Sequence, residues 1–176
     1  MEELKYPVGH YQKPKTFTKE VLTEALSVIE QFPKKIKKEV ESLSDEQLDT
    51  PYRPDGWTIR QVVHHCADSH MNAFIRIKLA LTENTPTIKP YAEALWAELS
   101  DTKKLPIQSS LSIIEGVHFR WTTLLKNMNA SDFDRGFIHP EKGKELSLHE
   151  STGMYAWHCN HHLAHITALK KRKGWQ

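Results

Sequence analysis

Apolar residues recur at steps of three and four in four long stretches of this chain. Val21, Leu22, Ala25, Leu26, Ile29, Phe32, Ile36, Val40 and Leu43 trace one face of an amphipathic helix of about seven turns that starts near Phe17. Pro33 has no N–H to donate and is expected to kink or split it. Ser44 and Gln47 stand at the spacing of a reciprocal helix cap and predict a short helical turn, after which TPYRPDGW breaks the chain. Thr58 and Gln61 repeat that spacing, and Ile59 to about Thr82 continues without proline or glycine as the second long helix.

The connection that follows, NTPTIKPYAEALWAELSDTKKLP, leaves room for one short helix around Ala92 to Leu99 between its prolines. Leu111, Ile114, His118, Trp121 and Leu125 restore the helical period from Ile107 to about Met128. Ser131 to Leu146 is polar and interrupted, with GFIHPEKGKEL able to close as a small hairpin over Lys142 and Gly143. Ser147 and Glu150 open the fourth helix, Leu148 to Arg172, and Gly174 ends it. Residues 1–15, with Pro7, Gly9 and Pro14, read as an extended arm on the surface or against a partner. The expectation is an all-α, four-helix bundle with long connections, a single domain over residues 1–176.

Composition narrows the function. A chain of 176 residues buries enough surface to be stable without a structural metal, so a metal found here is expected to be functional. Lys plus Arg at 24 against Asp plus Glu at 22 gives neither a nucleic-acid stripe nor a polybasic membrane surface. Two cysteines, Cys66 and Cys159, form no paired motif and suggest a reduced compartment. The start lacks an apolar signal core and no 18-residue apolar run occurs, so the cytoplasm is the expected location.

Against that background the 11 histidines stand out, four of them between His158 and His165. On a helical wheel Met154, Tyr155, His158, His161, His162, His165 and Leu169 share about 120° of arc, the stripe that faces the core. Buried imidazole nitrogens need partners, at a cost of about 1–3 kcal/mol each if unmet, and a divalent metal satisfies several at once. His161 and His165 stand four apart, one turn of helix, the spacing by which a single helix supplies two metal ligands. His158 and His162 have the same spacing, so the residues alone leave two registers open. On the second helix a polar stripe of Gln61, His65, Asp68, Ser69, Asn72 and Arg76 suits a cleft lining, with His65 near its centre. His64 points about 100° away, as a packing or surface residue.

These residues carry a resemblance. GWTIRQVVHHCADSH at 56–70 and YAWHCNHHLAH at 155–165 resemble the two histidine motifs of the DinB/YfiT-like superfamily of four-helix-bundle metalloproteins. PYRPDGWTIRQ, ADSHMNAF, TIKPYAEALW and WHCNHHLAHI are similar to the YfiT subfamily of metal-dependent hydrolases, over nearly the whole chain. The resemblance implies His65 as one ligand, eight positions after Trp57, and selects His161 and His165, preceded by Asn160, as the pair. It further implies a homodimer, as in several members, and thiol-transferase activity in relatives that use bacillithiol, mycothiol or glutathione.

Three neutral imidazoles leave an open position on Zn²⁺, where a water is acidified towards a pKa of about 7 or a thiolate is held. Imidazole ligation suits Ni²⁺ as well, with zinc the first choice. Asp68, three residues after His65, is the candidate to orient a ligand or accept a proton. The second histidine motif has His162 where the protease pattern HExxH has its glutamate, so that general base is missing. Cys66 and Cys159 are left out of the site as small hydrophobes, and Trp57, Trp96, Trp121 and Trp157 divide between pocket and core. Among His70, His118 and His139, His118 is expected to approach the cleft, and Arg53 and Arg76 are candidate anion binders. The leading expectation is a hydrolase of a small molecule. Its rivals are a metal-dependent S-transferase that activates a low-molecular-weight thiol and a metal-binding protein without catalysis.

Overall fold

Each stretch with the three-four apolar period is helical in the computed structural model, which describes residues 2–175. A single turn, α1 (Glu2–Lys5), precedes α2 (Lys19–Val40), which starts where the Thr18 hydroxyl accepts from the Val21 amide at 3.3 Å. Ala25, Ile29, Phe32, Ile36 and Val40 form its buried stripe. The helix continues through Pro33 without splitting, so the proline removes a donor and not the helix.

The reciprocal caps form as expected, Ser44 with Gln47 at α3 (Asp45–Leu48) and Thr58 with Gln61 at α4 (Ile59–Thr82). Buried Arg60 ties the two together, Nε to Asp49 at 2.6 Å and Nη2 to Asp45 at 2.8 Å. The next connection holds two short helices where one was expected, α5 (Glu93–Trp96) and α6 (Ser100–Lys104). After α7 (Gln108–Lys126) comes α8 (Ala130–Asp134), which the apolar period does not announce. The hairpin forms as β1 (Gly136–His139) and β2 (Lys144–Ser147), antiparallel with Phe137 opposite Leu146. It closes over a 3₁₀ turn, Pro140–Lys142, and Gly143, whose φ of +60° favours a residue without a side chain. Last is α9 (Leu148–Lys173), ended by Gly174 in the left-handed conformation.

Packing partners set the topology. α2 packs against α7 and α9, and α4 packs against the same two, so α2 and α4 lie on one diagonal of a four-helix bundle and α7 and α9 on the other. The steps from α2 to α4 and from α7 to α9 therefore cross a diagonal, whereas the step from α4 to α7 joins neighbours. The N-terminal arm departs from the expected extended form at its helical turn α1, and it lies on α9 of its own chain. Trp157 Nε1 donates to the Gly9 carbonyl at 3.0 Å, and Lys13 pairs with the buried Glu150 at 2.6 Å. Among the described residues no helix is long and apolar enough to cross a membrane.

Candidate metal centre

The site lies where α4 faces α9. Thr58 and Gln61 fix the start of α4, which places His65 two turns in, and Trp57 at the entry packs over the His65 ring at a centroid distance of 4.7 Å. A Cβ at Gly56 would sit 2.6 Å from Arg53 Cγ, so glycine allows the preceding loop to close against Trp57 and the helix start.

One donor atom each from His65, His158 and His162 come within 4.8 Å of one another. His65 Nε2 and His158 Nε2 are 3.3 Å apart, and the His162 ring centroid lies 4.7 Å from that of His65 and 4.4 Å from that of His158. A second group, His161, His162 and His165, shares His162 with the first. A third, His70, His118 and Cys159, is wholly buried behind them.

The structure thus keeps His161 and His165 together but does not bring them with His65 into one such group among the described residues. His158 and His162 turn towards α4, whereas His161 and His165 turn towards the N-terminal arm. His165 Nε2 donates to the Lys5 carbonyl at 2.9 Å and its ring stacks on Tyr52 at 3.9 Å. His161 stacks on Trp157 at 4.5 Å, with Tyr6 beside it.

A cavity of about 710 Å³ opens onto this centre. His65, His158 and His162 all line it, as does His161, while His165 does not. Its far walls carry Arg53, Arg76, Tyr91 and His139. Arg76 is buried and donates to the Lys89 carbonyl at 3.2 Å, and Arg53 donates to the Tyr52 hydroxyl at 3.2 Å and the Pro54 carbonyl at 2.7 Å.

Burial governs the charge state. It pulls His65 down to about 4, helped by the nearby His161 and His165, and holds His158 and His162 well below the ordinary imidazole value. At neutral pH all three are neutral, the state in which an imidazole offers a lone pair to a metal. The Nδ1 atoms of His161, His162 and His165 are buried without a hydrogen-bond partner. Unmet nitrogens in a nest of neutral imidazoles are what a divalent cation would satisfy, so the residues present fit a metal.

The remaining candidates fall elsewhere. Asp68 is half-buried, and burial with the Asp101 charge raises its carboxyl to about 6, but it neither lines the cavity nor joins a histidine group. His64 serves packing, with Ser110 at 2.7 Å and the Leu105 carbonyl at 3.2 Å. His118 does not reach the cavity and instead meets His70 at 2.8 Å. Both cysteines are buried free thiols, and burial pushes Cys66 and Cys159 up. His70 gave no signal of its own in the residue pattern, because its position is meaningful only once α7 is packed beside α4.

Comparison with known proteins agrees with this architecture. The profile of the DinB superfamily matches residues 29–166. The Bacillus subtilis protein named "Putative metal-dependent hydrolase YfiT" is 49% identical over 172 residues, 98% of this chain and 97% of its own. An Oceanobacillus iheyensis protein of the same descriptive name, OB0782, is 53% identical over 171 residues, 97% of this chain and 98% of its own. The solved structure of YfiT, described as "a probable metal-dependent hydrolase with an unusual four-helix bundle topology", superposes with a TM-score of 0.96 at 48% identity over 99% of both chains. With the diagonal four-helix arrangement, the matched profile and full-length relatives all in agreement, this chain belongs to the DinB superfamily.

Proposed function

We propose that this protein is a metal-dependent hydrolase of a small molecule, and that His65, His158 and His162 hold one divalent cation, zinc in first place and nickel in second. The observation that carries the reading is the convergence of these three donors within 4.8 Å at the floor of an open cavity. The names of the full-length relatives favour the same class of reaction. The register differs from the His65, His161 and His165 set that the family resemblance implies, because the cavity reaches all of His65, His158 and His162 whereas the arm covers His165.

When bound, a metal of this kind supplies Lewis acidity and lowers the pKa of water to about 7. The protein's own groups do the rest. Trp57 covers the His65 ring and keeps bulk water from that side, while Arg53 and Arg76 offer guanidinium donors to an anionic substituent of the substrate. Three imidazoles contribute no negative charge, so the held cation keeps its full charge for the reacting group.

Metal content decides the register. Zinc-loaded protein carries one equivalent; His65→Ala, His158→Ala and His162→Ala each lose it, and His161→Ala and His165→Ala keep most of it. Loss from the second pair with retention in His158→Ala and His162→Ala would place the ion in the other register. For the reaction, zinc-loaded protein is expected to cleave small chromogenic esters or amides, and chelated protein is not. Turnover that demands an added low-molecular-weight thiol would replace hydrolysis by S-transfer.

A further inference from the structure

His158 is tied to a line of groups that runs away from the cavity into the core. His118 Nδ1 lies 2.6 Å from the carbonyl oxygen of Ile29, and a carbonyl only accepts, so His118 donates from Nδ1. A neutral imidazole has one N–H, which makes His118 Nε2 an acceptor for His70 Nδ1 at 2.8 Å. By the same logic His70 Nε2 accepts from His158 Nδ1 at 3.1 Å. His158 Nε2 is then left with a lone pair, 3.3 Å from His65 Nε2 at the floor of the cavity.

The direction of this chain has an origin in the sequence. In an uninterrupted α-helix the Ile29 carbonyl would accept from the amide four residues on, and that residue is Pro33, which has no N–H. The proline therefore leaves a mid-helix acceptor open, and His118 fills it. Phe32 holds the chain in place, edge-on to His70 at 5.2 Å and stacked on His118 at 5.4 Å. Both of these histidines are buried, at 0% and 1% exposure, so water offers no alternative partner.

We propose that this imidazole chain, anchored on the carbonyl that Pro33 leaves free, fixes His158 as its Nδ1–H tautomer and so aims the Nε2 lone pair into the metal pocket. His70 and His118 are positioning residues for that ligand. The proposal rests on the metal reading above for what the lone pair meets. The tautomer itself belongs to the metal-free protein and is testable without any ion. Free histidine in water prefers the opposite, Nε2–H form, so the fixed tautomer is a property the fold has to impose.

The test is ¹⁵N imidazole NMR on the full-length, chelated protein near neutral pH, where long-range couplings report which nitrogen carries hydrogen. His118, His70 and His158 are all expected as Nδ1–H. A wild-type His158 that carries hydrogen on Nε2 overturns the proposal, whether or not the protein binds zinc. Two variants test the coupling: His70→Leu removes the acceptor, whereas His70→Gln puts an amide oxygen near the place of Nε2. His158 should lose its fixed tautomer in the first and keep it in the second, and zinc affinity measured by chelator competition should fall about 10- to 100-fold only in the first. Equal tautomers and equal affinities in the two variants would overturn the chain as a positioning device. Should the wild type show the expected tautomers and yet refuse zinc, the chain stands and the metal reading fails.

Discussion

His158 and His161 are three residues apart, about 60° around one helix, yet one faces α4 and the other the N-terminal arm. That angle separates the two pairs, and it is not legible in the residue pattern. Both pairs have the same spacing and sit on the same apolar arc, and only the packing of α9 against α4 on one side and the arm on the other separates them. Resemblance to a family implies the His161 and His165 register; the contact of His165 with Lys5 and the opening of the cavity onto His158 and His162 are what support the register proposed above. His65, by contrast, was legible from the polar stripe of α4, since a short-chained stripe on a helix otherwise apolar points to a cleft.

Buried neutral histidines also set an acid limit on stability. His65 and His118 are held down at about 4 by burial, whereas in the unfolded chain they titrate at the ordinary 6.5. Below 6.5 the unfolded state takes up protons that the native state refuses, so stability is fully present above that pH and declines as pH falls from 6.5 towards 4. Urea unfolding of the metal-free protein should show a midpoint that is steady from pH 8 to about pH 7 and falls steadily below about 6.5. A midpoint unchanged down to about pH 4.5 would mean that these imidazoles are solvated in the native state.

At the scale of elements, the helix starts were the most legible features. Ser44 with Gln47 and Thr58 with Gln61 satisfy orphan amides reciprocally, and the short α3 and the long α4 begin at the positions those residues predict. The same chemistry at Asn129 and Asp132 starts α8, but the pattern there gives only the end of the third helix and a polar, interrupted segment with a small hairpin. Pro33 was read as a threat to α2, and its consequence proved to be a freed carbonyl used by a side chain from another helix.

Thr58 carries a prediction of its own. Its hydroxyl accepts from the Gln61 amide at 3.1 Å and its amide donates to the Gln61 side chain at 2.9 Å. Thr58→Ala should lower the urea-derived unfolding free energy by about 1 kcal/mol. Because this cap fixes the first turn of the helix that bears His65, metal affinity should weaken modestly in the same variant. An unchanged unfolding free energy would show that packing of Trp57 and Arg60 alone holds the helix start.

The whole molecule shows why the site could form where it does. Placing α2 and α4 on one diagonal, with α7 and α9 on the other, lets α9 meet α4 on one side and α2 on the other. Histidines from α4, α7 and α9 converge only in that arrangement, and no single helix reveals it. The bundle class followed from four amphipathic stretches; the diagonal order did not, because the pattern fixes which face is buried and not which neighbour buries it. The cavity is likewise a product of the 53–57 loop, the hairpin and the connection after α4, whose conformations depend on what they pack against.

X-ray diffraction at and below the zinc absorption edge, from full-length protein purified without chelator and crystallised with zinc, addresses the central claim most directly. The account predicts one strong anomalous peak between α4 and α9, about 2.0–2.1 Å from a nitrogen of each of His65, His158 and His162, and facing the cavity. A peak bounded instead by His161 and His165, or crystals with zinc in the mother liquor and no peak between these helices, would contradict it.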